Sequence, residues 1–202
     1  GVGNNLVNSF ILKYNNKPYI PGSLIKGKLR YNSEMISKLF KDKDNYYECL
    51  LSKSNFEVNE EESNCSCPIC KMFGGQGNNR GALIFGDNKL DDDKLSELFM
   101  TRTGTTIDRY LKTVKNKSLY SIETTIDKLI FLGEINGFLR DETYKKDIFI
   151  LNSAFNLIDT IGGNQSRGLG FLNKEKCNIK INIDGNKCDL SEICSKGAPN
   201  EI

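Results

Sequence analysis

Three cysteines fall within six positions, in the run Cys65-Ser66-Cys67-Pro68-Ile69-Cys70, and the chain contains no histidine. Thiolates at that spacing can wrap one ion without support from a larger fold, and Zn²⁺ takes four ligands in a tetrahedron. With histidine excluded, the fourth ligand has to come from elsewhere. Cys49 is the best placed, since the segment between it and Cys65 would form a loop closed by the metal. Three sulfurs with an outside ligand, or unoccupied thiols, are the alternatives. The surrounding segment, 42–80, is rich in Asp, Glu, Asn, Ser and Lys. It reads as an insertion too polar to build its own core, which a structural zinc would hold together. The other cysteines are Cys177, Cys188 and Cys194. The opening GVGNNLVNSF has neither the basic stretch nor the apolar run of a secretion signal. The expectation is therefore a cytoplasmic protein whose clustered thiols serve a metal rather than disulfides.

The missing histidine also limits catalysis. It removes the side chain most often poised near neutral pH, so acid–base chemistry would need Cys, Asp, Glu, Lys, Tyr or water. The 202 residues fit one domain with insertions. A net charge of +2 says little about nucleic acid, because the distribution of charge matters more than its sum. No run of about 18 apolar residues predicts a membrane span.

Along the chain, Pro18-Tyr19-Ile20-Pro21-Gly22-Ser23 reads as an extended segment ending in a turn, with Ser23 as the N-cap of a helix over 24–41. Gly27 inside that helix costs about 1 kcal/mol relative to Ala. It marks a place where another backbone or a ligand comes close. Residues 82–85 predict a short buried strand. Residues 88–118 read as polar and irregular, with a short helix near Lys94–Met100. Leu119–Thr124 reads as extended and Lys128–Asn136 as a strand. Ile148–Ile161 predicts a second helix, stopped by Gly162-Gly163. Alternation of Cys177, Ile179, Ile181 and Ile183 with polar residues predicts the last strand, and the tail 185–202 is polar. The order helix, strand, strand, helix, strand becomes βαββαβ if one strand precedes residue 1. That is the ferredoxin-like, RNA-recognition-motif-like order of an α+β fold.

Three further constellations point to an anionic polymer. Ser23, Lys26 and Arg30 share one helix face near its N-terminus, with Lys28 close by, and a hydroxyl, a mobile charge and a guanidinium fork together suit a phosphate. A well-capped solvated face explains the same residues. The loop Gly162-Gly163-Asn164-Gln165-Ser166-Arg167-Gly168-Leu169-Gly170 lets backbone N–H groups approach a phosphate or sugar, with Ser166 and Arg167 adding contacts; a tight turn is the plain alternative. Between 102 and 117 lie five basic residues, including Arg102 and Arg109, with few apolar neighbours. Such a stretch protrudes, either as a mobile solvated loop or as a hairpin tracking RNA.

Taken in order, these motifs resemble the RAMP (repeat-associated mysterious protein) superfamily. They are Pro18–Ser23 with Lys26-Gly27-Lys28-Leu29-Arg30, Cys-x-Cys-x-x-Cys running into Phe73-Gly74, Arg102-Thr103-Gly104 with Ile107-Asp108-Arg109, and Gly162-Gly163 with Ser166-Arg167-Gly168-Leu169-Gly170. The likeness is to the backbone subunits or domains of type III CRISPR effectors and covers residues 1 to about 184. It implies a ferredoxin-like core with a zinc-binding insertion at 42–80 and a thumb-like hairpin at 100–123. By the same resemblance Ser23, Lys26, Lys28, Arg30, Arg102, Arg109, Gly163, Ser166, Arg167 and Gly168 would contact RNA. The partners implied are a guide CRISPR RNA, a complementary target RNA and further effector subunits stacked head to tail. Slicing members carry an Asp shortly before the Pro-Tyr-Ile-Pro-Gly-Ser segment. Asn8 stands there in this chain, which implies a scaffold without its own cleavage. A target-RNA endonuclease using another carboxylate and a zinc-stabilised protein-interaction module are the competing readings. A histidine-dependent RNA-processing enzyme is disfavoured.

Overall fold

Pro18 shows how local chemistry directs the first sheet. Strands β1 (Lys13–Tyr14) and β2 (Lys17–Ile20) form a two-residue hairpin. Its tip residues Asn15 and Asn16 both have positive φ, at 49° and 60°, the geometry that matches strand twist in such turns. Pro18 has no N–H, yet the ladder from β2 to β4 (Asn88–Leu90) begins only at Tyr19, so no strand bond is lost. Strand β7 (Phe131–Leu132) completes a four-stranded antiparallel sheet in the order β1-β2-β4-β7.

The computed structural model describes residues 9–39, 65, 67–75, 80–91, 97–139, 144–183 and 186–188. These form a mixed α/β protein whose named strands pair only antiparallel, in four small sheets. The chain divides into two compact units. The first comprises residues 1–22 and 86–134; the second comprises 23–85 and 135–202. Among the described residues no helix is long and apolar enough to cross a membrane.

The first unit holds the four-stranded sheet and a long hairpin, β5 (Phe99–Gly104) with β6 (Tyr120–Thr125). Residues 9–13 run along β6: Ser9 bridges Ile122, Ile11 N–H donates to Glu123 Oε2, and Lys13 Nζ meets Glu123 Oε1 at 2.6 Å. The same lysine lies 4.0 Å from the centre of the Phe99 ring. The helix expected over Lys94–Met100 is corrected at its end, where Phe99 and Met100 are strand, paired with Thr125 and Thr124. The rest of that stretch, 92–96, lies outside the described residues.

The second unit carries the hydrophobic core. Helix α1 (Gly22–Ser37) turns Leu29, Ser33, Ile36 and Ser37 inward at i, i+4, i+7 and i+8. Its first N–H, from Gly22, is taken by Asp87 at 2.8 Å, so Ser23 sits in the first turn instead of capping it. The helix ends at Ser37, before the expected residue 41. Helix α2 (Pro68–Phe73) follows the cysteine run, and five of its six residues are buried. Helix α3 spans Tyr144–Asn156, not Ile148–Ile161. Residues 158–161 leave the helix because they pair with 170–172: Ile161 N–H donates to Gly170 O at 2.8 Å and Leu172 N–H to Asp159 O at 2.9 Å. Leu29, Ile36, Ile69, Met72, Phe73, Ile150, Ala154 and Ile158 pack with the three cysteines into one cluster.

Two strands differ from expectation for identifiable reasons. The run 128–136 splits into β7 and β8 (Ile135–Gly137), the latter paired with β3 (Leu83–Phe85). It breaks at Gly133, where the Asn88 side chain occupies the space a Cβ would need. The last strand is shorter, β9 (Ile181–Ile183). Cys177 instead closes a 3-10 turn over Lys174–Lys176, donating to Lys174 O at 3.2 Å. Strand β10 (Asn186–Cys188) pairs with β9, in a region the sequence read only as a polar tail.

Candidate functional site

A groove of about 260 Å³ runs along α1 in the second unit. Gly27, Lys28, Tyr31 and Asn32 form one wall and Leu157, Ile158, Asp159 and Thr160 the other. Helical geometry explains the first wall, since residues three and four apart share a face. Asn32 is anchored by donating to Ala154 O at 3.0 Å. The second wall is held by Lys174, which contacts Asp159 Oδ1 at 2.9 Å and Asn156 O at 2.6 Å.

The second wall leads directly into the glycine turn. Thr160 donates its hydroxyl to Gln165 Oε1 at 2.9 Å, and Gln165 Nε2 donates back to Gly162 O at 2.7 Å. Gln165–Arg167 make a 3-10 turn between two left-handed residues, Asn164 at φ 55° and Gly168 at φ 81°. Gly170, at φ 74°, packs so closely on the Ile161 carbonyl that no Cβ fits there. The turn is therefore rigid through its own bonds, and it leaves Gly163, Ser166, Arg167 and Gly168 exposed. The structure thus sets the early helix against residues 157–160, which lead along the chain into the late glycine turn; Gly163, Ser166, Arg167 and Gly168 do not themselves line the groove.

It does so on a different helix face from the one the sequence emphasised. Ser23 is exposed and Lys26 half-buried. Arg30 is committed to protein: its Nε donates to Glu34 Oε1 and one of its terminal nitrogens to Gly74 O, each at 2.9 Å. It links α1 to the carboxyl end of α2. The groove face carries Lys28, which the sequence placed among the RNA contacts, and Gly27, which it marked for a close approach, together with Tyr31 and Asn32, which it did not assign to a site. The spacing 28, 31, 32 could have revealed them, and attention to charge alone hid the tyrosine and asparagine.

The cysteine cluster lies within the core. The sulfurs of Cys65, Cys67 and Cys70 lie within 4.8 Å of one another, and all three residues are buried. A tetrahedral ion with Zn–S bonds of about 2.3 Å sets its sulfurs roughly 3.8 Å apart, so this donor set fits three ligands of a structural zinc. Cys67 caps α2, with the Cys70 N–H directed at its sulfur at 3.4 Å and Pro68 in the first turn. No fourth ligand joins them among the described residues, and Cys49 lies outside these. The described part of 42–80 contributes to the core of the second unit. Ile69 and Met72 have no exposed surface, and Phe73 stacks on Phe85 at 5.6 Å. Lys71 Nζ contacts the fully buried Asp147 carboxylate of α3 at 2.8 Å.

In the first unit, the hairpin β5–β6 carries Arg102 on its strand and Arg109 near its tip, both exposed. The tip is shaped by Asp108, whose Oδ1 accepts from Tyr110 N–H at 2.8 Å and Leu111 N–H at 3.0 Å. The Leu111 bond, then the Tyr110 bond, hold the Asp108 carboxyl below its ordinary 3.8. Ser118 donates to Lys115 O at 2.5 Å. Ile107, Tyr110, Leu111 and Val114 project into solvent around this tip. Asn8 lies outside the described residues.

The family model of the RAMP superfamily matches residues 1–173, and the chain belongs to that superfamily. The family is CRISPR-associated and RNA-binding, and its members generally bind CRISPR RNA within multi-subunit complexes. No curated protein matches the chain.

Proposed function

We propose that the chain is a guide-RNA-binding backbone subunit, or backbone domain, of a type III CRISPR effector, built on a ferredoxin-like core and lacking its own cleavage activity. The groove between α1 and residues 157–160, followed along the chain by the exposed turn at Gly163, Ser166, Arg167 and Gly168, is the observation that carries this reading. Its walls carry one lysine, Lys28, and one carboxylate, Asp159, whose charge is met by Lys174, so a polyanion would be held there largely by shape. Lys26, Lys28 and Arg167 neutralise guide phosphates, and Ser23 adds a hydroxyl contact. The hairpin β5–β6, with Arg102 and Arg109, is the thumb-like element acting on the guide–target duplex. Cys65, Cys67 and Cys70, with Cys49 as the fourth ligand, hold a structural zinc. Neighbouring effector subunits stack head to tail along the guide.

The test is the salt dependence of single-stranded RNA binding. The logarithm of affinity falls with the logarithm of salt by about 0.7 per neutralised phosphate. Lys28→Ala and Arg167→Ala should each reduce the number of neutralised phosphates by about one. Slopes unchanged in both variants would remove the RNA contact assignment and favour a protein-interaction module. Incubating the assembled complex with complementary RNA and Mg²⁺ addresses cleavage. Regular cuts abolished by substituting a carboxylate of this chain would replace the scaffold reading with that of a slicing subunit.

A further inference from the structure

Gly27 sits in the interior of α1, where glycine costs about 1 kcal/mol relative to alanine. Most of the described glycines have a reason in the protein itself, a positive φ or a neighbour that leaves no room for a Cβ. Gly27 has neither. Its φ is ordinary for a helix, and apart from its chain neighbours and the backbone of its own helix no described atom lies within 4 Å of the place its Cβ would occupy. Yet it lines the groove, one residue from Lys28 and one turn from Tyr31, which is 63% exposed. Gly163, three residues along the chain from Thr160 of the groove wall, shows the same pattern of ordinary φ and open space.

We propose that Gly27 is the point where a polynucleotide touches α1, forming a nucleotide subsite in which sugar and phosphate pass over the bare helix backbone. Lys28 meets the phosphate. Tyr31, an aromatic ring at the groove wall with most of its surface free, provides the face against which the base or ribose packs. The groove's 260 Å³ is smaller than the roughly 300–1,000 Å³ of pockets that enclose a whole small molecule, so it takes one unit of a longer strand. A Cβ at residue 27 would fill the space the ribose needs while improving the helix. This rests on the RNA-binding reading above and adds to it where the strand comes closest.

The prediction has a signature that a structural role cannot produce: one substitution should stabilise the protein and weaken binding together. Gly27→Ala in the full chain should melt at an equal or higher temperature while its dissociation constant for single-stranded RNA rises about tenfold. Tyr31→Ala should raise that constant at least about fivefold. Met35→Ala, one turn beyond the groove on the same helix, should change neither. Wild-type affinity in Gly27→Ala, or a lowered melting temperature in that variant, overturns the proposal. So does equal weakening by Met35→Ala, which would mark a broad protein-docking surface instead. The two readings fail separately. If Lys28→Ala and Arg167→Ala weaken binding while Gly27→Ala does not, only the subsite falls; if none of the three alters binding, the RNA reading falls with it.

Discussion

Helix α2 and the tip of the β5–β6 hairpin carry similar apolar content and spend it in opposite ways. Ile69, Met72 and Phe73 of α2 are sealed in the core, and the helix is tied to its neighbours through Arg30, Phe85 and Asp147. At the hairpin tip Tyr110 is 96% exposed and Leu111 73%, and the shape is set by bonds within the loop itself. Six residues of helix cannot stand alone in water, since helix nucleation is too costly. Tertiary contacts therefore make α2. A turn closed by a carboxylate on two N–H groups needs no such support, so its apolar side chains stay free to meet something outside the chain.

Removing metal should separate the two regions most sharply. If zinc bridges the cysteines, a chelator should abolish cooperative unfolding of the second unit, an effect comparable to a domain's whole stability of about 5–15 kcal/mol. Cys67→Ser should mimic it and be insensitive to chelator, while hairpin amide signals persist. Metal analysis showing no bound zinc in freshly purified protein would remove the premise. Next in size, Asp147→Ala should cost about 3–5 kcal/mol in denaturant titration by stranding the Lys71 charge, and Lys71→Met with Asp147→Leu should recover much of that. A single variant as stable as wild type would show α2 to be held otherwise. Arg30→Ala should cost about 1 kcal/mol through its lost bonds to Gly74 and Glu34, with little change in the salt slope of RNA binding. A slope reduced by about one would return Arg30 to the phosphate contacts.

The smallest effects belong to the hairpin. Tyr110→Ser should shift stability by less than about 0.5 kcal/mol, since an exposed side chain has little to lose. Asp108 has a carboxyl held below its ordinary 3.8 in the folded state, so its ionised form supports the tip. That contribution is complete above the unfolded value and is lost as pH falls through the lower folded one. The Tyr110 and Leu111 amide resonances should move only in that acid window, and Asp108→Ala should erase the transition. Movement near neutral pH would assign the tip's order to another group.

The elements that sequence pattern revealed best were those governed by local rules. The apolar spacing of Leu29 and Ile36 marked α1, and the clustered thiols marked a metal-shaped site. What stayed hidden depends on distant partners. Residues 158–161 look helical until Gly170 and Leu172 offer strand-like bonds, and that exchange builds the groove wall. Arg30 reads from its helix face as a phosphate ligand, and nothing in the local sequence reveals its further bond to Gly74 O. The polar run 42–64 obscured how apolar Pro68–Phe73 is, so a core helix read as part of an insertion.

Arg30 and the groove residues ride on one stiff rod. Residues on opposite flanks of a helix cannot shift independently, because the hydrogen-bonded backbone turns as a body. The guanidinium that grips Gly74 on one flank therefore fixes the azimuth at which Tyr31 and Lys28 are presented on the other. How wide the channel opens is thus decided by the seating of a helix that no strand of nucleic acid need ever touch.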